Sequence, residues 1–269
     1  VEFLEGDILD PGALHRALEG IDEVIHLAAI VKTPFSFDHP SHTEAVNHWG
    51  TSRLVEEARE RGVNRFIFAS STSVYGSGDG FDEDSPIRPV GPYSVSKGHA
   101  ERAVLEADTG QFRVTVLRIG TVYGYSPCMR FEAVPNRFAY LAAVGRPITV
   151  FGAGGQLRPV VHIRDACAAI GLAMGDPEAF QGRTLNVVSS NPSVLDMARV
   201  AQSMKKGGRI THTAHDLLTH ISLRVSSERP RALGWTPEVT LEEGMREVID
   251  HLGPFSPLPR ADFGLALED

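Results

Sequence analysis

The sequence predicts an α/β fold, a doubly wound parallel sheet with a smaller mixed α/β lobe. Three observations predict it. Strand-like and helix-like segments alternate through the first 119 residues. The strand-like segments are compact apolar runs, as in strands buried on both faces. After Gly120 the rhythm changes to shorter, more scattered elements. The first unit is expected to span 1–124 as the core of the parallel sheet. A second, 125–269, is expected to form the lobe, with about 160–190 returning to the sheet.

Val1–Ile8 reads as the opening strand. Pro11–Leu18 reads as a short helix with Asp10 as its cap and Pro11 in the first turn. Asp22–Ala29 carries the run Val24-Ile25-His26-Leu27-Ala28-Ala29 and reads as a buried strand. Ser41–Arg61 has helical spacing through Ala45, Trp49, Leu54, Val55 and Ala58, and stops at Gly62. Arg65–Ser71 is a buried strand, 72–92 a polar loop, Tyr93–Asp108 a helix and Phe112–Ile119 a strand. Beyond Gly120, helices are expected at Phe131–Val144, Arg164–Met174, Val194–Met204 and Leu241–Leu252. Strands are expected at Ile148–Phe151, Val160–Ile163 and Thr184–Val188. The Pro-rich tail after Gly253 is expected on the surface.

The 269 residues are 42% hydrophobic and 22% charged, which excludes disordered, collagen-like and disulfide-scaffold classes. A formal net charge of −8 argues against a nucleic acid partner. Two cysteines, Cys128 and Cys167, give no disulfide framework and point to a reducing, cytoplasmic compartment. The apolar stretch Val24–Val31 is interrupted by His26 and is far too short to span a bilayer, so no membrane partner is expected. The opening residues lack the basic-then-apolar pattern of a secretion leader.

Tyr93-Ser94-Val95-Ser96-Lys97 carries the strongest chemical signal. Residues four apart on a helix share a face, roughly 6 Å apart along the axis. A nearby ammonium favours the phenolate and draws a tyrosine pKa down from about 10. That makes a general acid–base for an alcohol/ketone couple. Ser70-Ser71-Thr72-Ser73-Val74-Tyr75-Gly76 follows a buried strand, and a hydroxyl at a parallel strand's carboxyl end faces the ligand crevice. Each feature also has a plainer reading, as a solvated helix pair and as a polar turn.

Taken in order, His26-Leu27-Ala28-Ala29, Asn47 with Gly50-Thr51, the Ser-then-Tyr-Lys set, Arg118–Gly124 and Val160–Asp165 resemble one family. It is the extended short-chain dehydrogenase/reductase family, in its NAD-dependent sugar epimerase/dehydratase branch. The resemblance runs from Gly6-Asp7-Ile8 to Leu233-Gly234-Trp235 and Leu241-Glu242-Glu243-Gly244. It implies a Rossmann-type fold, NAD as cofactor with NADP left open, and a nucleotide sugar as substrate.

Residue by residue, the resemblance makes Ser71 the hydroxyl that shares the substrate oxygen with Tyr93. It makes Tyr93 the acid–base and Lys97 the ribose-holding residue that lowers the tyrosine pKa. Asn47 is the residue that positions the lysine through water. Asp7 and Ile8 become adenine-end contacts. Leu27, Ala28 and Ala29 form the strand end beneath the cofactor, with Ser70 beside it. Ile119 and Gly120 lie at the nicotinamide, although the family's usual Arg-Pro pair is Arg118-Ile119 here. Ser71 and Thr72 meet the substrate, and Arg158 clamps its diphosphate. Arg224 and Arg229 are candidates for a second clamp. The family's dimer helices correspond to 41–61 and 93–108, with Ala100, Val104 and Leu105 as apolar positions that allow a homodimer.

Members that eliminate water carry acidic residues just after the catalytic hydroxyl. Here those positions are Thr72 and Ser73, which disfavours dehydration. Two reactions stay open: epimerisation through a transient ketone, and net oxidoreduction of a smaller alcohol or ketone. A non-catalytic, cofactor-sensing role is the third reading. The family's Gly-rich phosphate turn does not precede Gly6, which predicts roughly 40–60 further residues upstream, or another chain filling the gap.

No metal site is expected. His212, His215 and His220 cluster in sequence but match no common zinc spacing. Cys128 is expected to be a semi-buried thiol, and Asp79, Asp82, Glu83 and Asp84 a solvated acidic loop. His162 is expected to be a hydrogen-bonded core residue.

Overall fold

The computed structural model describes residues 2–204, 208–214 and 222–252. In chain order the first elements are α1 (Pro11–Ala17), β1 (Glu23–His26), α2 (Thr33–Asp38) and α3 (Pro40–Glu44). A π-helical turn (Ala45–Gly50) follows, then α4 (Thr51–Glu60) and β2 (Arg65–Ser71). A 3-10 turn (Thr72–Tyr75), β3 (Gly78–Phe81), α5 (Pro92–Glu106), β4 (Arg113–Ile119) and β5 (Thr121–Tyr123) come next. The later elements are α6 (Val134–Ala143), β6 (Ile148–Phe151), β7 (Val160–His162), α7 (Ile163–Gly175), α8 (Pro177–Phe180) and β8 (Arg183–Val187). They end with α9 (Val194–Ser203), β9 (Ile210–Thr213), β10 (Leu223–Val225), α10 (Glu228–Ala232) and α11 (Leu241–Leu252). Among the described residues no helix is long and apolar enough to cross a membrane.

The chain divides into two compact units. The first takes residues 1–122, 156–192 and 220–238. Its sheet runs β1-β2-β4-β8, parallel throughout. Alternation along β2 sends Phe66 and Phe68 to one face, where they pack with Leu54, Val55, Ala58, Ala100 and Val104 from α4 and α5. Ile67 points to the other face, with Leu117, Leu185, Ala166, Ala169 and Trp235. Both faces are covered, which is why these strands read as unbroken apolar runs. The Trp235 indole N–H donates to the Asp165 carbonyl at 3.0 Å, satisfying its polar atom in the core.

The second unit takes residues 123–155, 193–219 and 239–269. Its parallel pair β6–β9 lies with α6, α9 and α11. Phe138, Ile148, Val150, Met197, Met245 and Val248 are buried within it. Ser193 and Asp196 form a capping box that starts α9, each accepting the other's backbone N–H.

Several expectations are corrected. Residues 2–8 form no strand; Phe3 is 87% exposed, and no described neighbour gives the segment a ladder partner. The strand expected to run to Ala29 stops at His26. Ala100 and Val104 lie in this unit's own core, so of the three positions offered for a dimer only Leu105 faces outward. Cys128 and Cys167 are both exposed. Glu83 is buried rather than solvated: its Oε1 accepts the Asn186 N–H at 2.8 Å and its carbonyl accepts from Arg118. The His162 expectation, by contrast, holds: it is fully buried, and its Nδ1 accepts the Arg164 N–H at the start of α7. His215, His220 and the tail after Gly253 lie outside the described residues.

Candidate active site

Two of the expected site residues, Ser71 and Ile119, end β2 and β4 at their carboxyl ends. Ser71 is the last residue of β2 and the cap of the 3-10 turn, where its Oγ accepts the Ser73 N–H at 3.2 Å. Thr72 follows it, buried in that turn. In register, Ser71 pairs with Ile119 and Ser70 with Arg118. Beyond Ile119, the Gly120 N–H donates to the Val187 carbonyl. A Cβ at Gly120 would stand 2.9 Å from the Pro159 carbonyl oxygen, so only glycine fits there. That close approach brings the Arg158–Pro159 segment against the end of β4.

Tyr93 and Lys97 lie on the first turns of α5, which Pro92 opens at a position where its missing N–H is harmless. Lys97 is 3% exposed. Its Nζ donates to the Ala69 carbonyl at 2.8 Å and sits over the Phe68 ring. Ser71 follows Ala69 by two residues, about 7 Å along the strand. Tyr93 lies one turn before Lys97, on the same face of α5. Asn47 comes from the π-helical turn. Its amide clasps both backbone groups of Ile30 (2.7 and 2.9 Å) and donates to Ser96 Oγ at 3.1 Å. Ser96 in turn donates to the Tyr93 carbonyl. Asn47 thus fixes the segment after β1 and the start of α5 together.

Burial pushes the Lys97 ammonium down to about 8 from 10.5. The folded chain therefore releases this proton earlier than the unfolded chain, and binds fewer protons between those values. Stability is expected to rise with pH across that window, relieving a burial cost of roughly 3 kcal/mol that is fully present below it. Urea titrations from pH 7 to 10.5 should show this rise in the native protein and a flatter curve in Lys97→Met; parallel curves would refute it.

His26, at the end of β1, is buried and held well down, at about 3, by burial first and the Lys97 charge second. The Thr51 hydroxyl donates to the Asn47 carbonyl, so the 2.8 Å contact between Thr51 Oγ1 and His26 Nε2 is made by an imidazole N–H. His26 is thereby fixed as the neutral Nε2–H tautomer beside the site.

The other expected residues are placed as follows. The Ser70 hydroxyl turns inward and donates to Glu101 at 2.7 Å, so it is engaged in the interior. Leu27 and Ala28 are exposed just past β1, with Ala29 half-buried. Asp7 is exposed and accepts the Leu9 N–H, while Ile8 packs against Gly50 of the π-helical turn. Arg158 is half-buried; burial lowers its guanidinium pKa, and its Nη1 donates to the Leu157 carbonyl. Arg224 pairs with Asp79, and Arg229 with Asp84 and Glu83. A cavity of about 290 Å³ elsewhere in this unit is lined by Gly80, Asn191, Arg224 and Arg231. It has none of the expected catalytic residues in its wall, and Arg224 in it is already paired.

Sequence reasoning missed Glu101. It lies one turn beyond Lys97, so Tyr93, Lys97 and Glu101 share a face of α5, and that spacing was its signal. Glu101 is 2% exposed and takes Arg118 through both Nε and Nη2. Burial opposes the Arg118 charge, and the hydrogen bonds and charge of Glu101 outweigh it, leaving the guanidinium pKa raised. Arg118 Nη1 also donates to the Tyr75 hydroxyl, which donates to Asn186. This buried network ties β2, β4 and β8 to α5.

A family model described as the NAD dependent epimerase/dehydratase family matches residues 1–187. The chain belongs to that family. Its members are enzymes, and the Rossmann-type parallel sheet is theirs. Within the family the chain is 31% identical over 265 residues to the mouse (Mus musculus) dTDP-D-glucose 4,6-dehydratase, covering 93% of this chain and 73% of that protein. It is 30% identical over 246 residues to an uncharacterized UDP-glucose epimerase, YtcB, of Bacillus subtilis, covering 89% and 77%. Among solved structures, MoeE5 in complex with UDP-glucuronic acid and NAD is 30% identical with a TM-score of 0.80, covering 92% of this chain and 84% of that one. Epimerases and dehydratases both stand among these family relatives, so likeness alone leaves the reaction open.

Proposed function

We propose that the chain is an NAD-dependent epimerase of a nucleotide-linked sugar, working through a transient ketone. The observation that carries this reading is the segment Ser71-Thr72-Ser73. It keeps the catalytic hydroxyl and has no carboxylate after it. Thr72 is buried, and the Ser73 Oγ is buried with no hydrogen-bond partner. Eliminating water needs a base for a carbon-bound proton and an acid for the leaving hydroxyl, and neither side chain titrates near neutral pH. Reversible oxidation at one carbinol needs only Tyr93, Ser71 and Lys97.

The residues fit the nicotinamide-ribose end of the cofactor. The Lys97 ammonium has three donors, of which the Ala69 carbonyl takes one. Lys97 and Tyr93 would hold the ribose, Ile119 and Gly120 the nicotinamide side, Leu27–Ala29, just past β1, the side beneath it, and Asp7 and Ile8 the adenine end. When bound, NAD supplies the reversible acceptance of a hydride. Tyr93, as phenolate, takes the proton of the sugar hydroxyl and later returns it to the ketone oxygen. Ser71 donates a hydrogen bond to that same oxygen. Lys97 favours the phenolate through its charge. Arg158 offers a guanidinium fork to a diphosphate.

Incubation with UDP- and dTDP-hexoses, read by NMR of the sugar products, tests this. The expected product is an epimer at one carbon, with no net change in NADH absorbance. A 4-keto-6-deoxy product would establish dehydration instead, and stoichiometric NADH turnover would establish a net reductase or dehydrogenase.

A further inference from the structure

Glu44, His48 and His99 stand apart from the reacting groups, and nothing in the proposed reaction uses them. Glu44 ends α3, and His48 lies four residues on, within the π-helical turn. His99 comes from α5. One carboxylate oxygen, Glu44 Oε1, lies 2.8 Å from His48 Nδ1 and 2.8 Å from His99 Nδ1. One ligand atom from each of the three residues falls within 4.8 Å of the others. Two imidazoles and a carboxylate converging from two helices is a donor set suited to zinc and its neighbours in the transition series.

We propose that these three side chains bind a zinc-type divalent metal ion. Both imidazoles present the same nitrogen to one carboxylate, so the donors already converge. Tetrahedral ligands at about 2.0–2.1 Å from zinc stand roughly 3.3 Å apart. That is about half an ångström more than each nitrogen now stands from the carboxylate oxygen. On binding, each neutral imidazole moves its proton from Nδ1 to Nε2 and gives the Nδ1 lone pair to the ion; no bond is broken and no electron is transferred. The side chains are 31%, 19% and 52% exposed for Glu44, His48 and His99, so solvent can reach the site and complete the coordination. The His48 ring is flanked by the Trp49 and His99 rings, with centroids at 4.5 and 5.1 Å, which limits how far it can swing away.

The position gives the ion a structural consequence. It would join the turn that carries Asn47 to the helix that carries Tyr93 and Lys97. The bond from Asn47 to Ser96 makes the same connection from the inside. Binding to the folded state alone raises its stability.

Chelator-stripped full-length chain, titrated with zinc chloride by calorimetry and with cobalt chloride by visible absorption, tests the site. One ion per chain is expected, with a tetrahedral cobalt spectrum and a Tm that climbs with zinc. His99→Ala should weaken zinc by about tenfold or more and abolish the Tm response, and Glu44→Gln should weaken it too. His251→Ala, on α11 in the other unit, should bind as the native chain does. Absence of binding would overturn the proposal, as would affinity unchanged in His48→Ala/His99→Ala, which would put the ion elsewhere. Should that double variant lose its circular dichroism, His99→Ala alone decides, because it changes a half-exposed side chain.

Discussion

Replacing Tyr93 by Phe is expected to lower kcat for sugar turnover by about 10²–10⁴-fold, the range of a lost general acid–base. The ring stays, so packing at the start of α5 is preserved, and circular dichroism should be unchanged. Only the hydroxyl proposed to exchange a proton with the substrate is gone. KM should change little, because the loss falls on the transition state. Lys97→Met should produce a loss in the same direction by a different route, removing the charge that favours the phenolate. Since Lys97 loses its proton near pH 8, the native enzyme should lose that assistance above this pH. Initial rates on the responsive nucleotide sugar from pH 6 to 10 are the measurement. A Tyr93→Phe enzyme with native kcat would remove the proton-relay mechanism and favour the non-catalytic reading.

The second large effect concerns Glu101. Glu101→Ala strands the buried Arg118 guanidinium without its carboxylate, and breaking such a pair from one side costs about 3–5 kcal/mol. The Ser70 hydroxyl loses its acceptor as well. Urea unfolding followed by fluorescence should show this loss, with a matching fall in activity because Ser71 is the next residue. The double change Glu101→Leu/Arg118→Met removes both charges, and most of the stability should return, since apolar replacement of a whole buried pair is often neutral. If the double variant is as unstable as the single one, the unpaired charge is not the cause.

Much of this was legible in the sequence, for physical reasons. The strand Arg65–Ser71 and the helix Leu241–Leu252 have the bounds their patterns predict. One is an apolar run covered on both faces, the other a clear helical stripe. The expectation for Tyr93 and Lys97 rests on local spacing, and that for Ser71 on the resemblance and on its place at a strand end. Glu83 was misread because its sequence neighbours Asp82 and Asp84 are exposed, while its own partners, Asn186 and Arg118, arrive from distant strands. The strand Gly78–Phe81 carries no apolar alternation, and exists because Leu223–Val225 pairs with it. The segment 2–8 has strand-like composition and forms no strand among the described residues. Glu44 and His99 are far apart in sequence, and only the packing of two helices brings them together.

The π-helical turn at Ala45–Gly50 has a further consequence. Such a turn is an α-helix with one surplus residue, absorbed locally as a bulge. Thr43 before it, and Leu54, Val55 and Ala58 after it, are all buried, so the hydrophobic stripe keeps its phase across the widening. The surplus is thus confined to the stretch that presents Asn47, and the helix behaves as a rigid rod with an adjustable collar. Lengthening or shortening the rod elsewhere by one residue would rotate its whole distal half by about 100°. At the bulge, removal of the one surplus residue would restore a regular α-helix without that rotation.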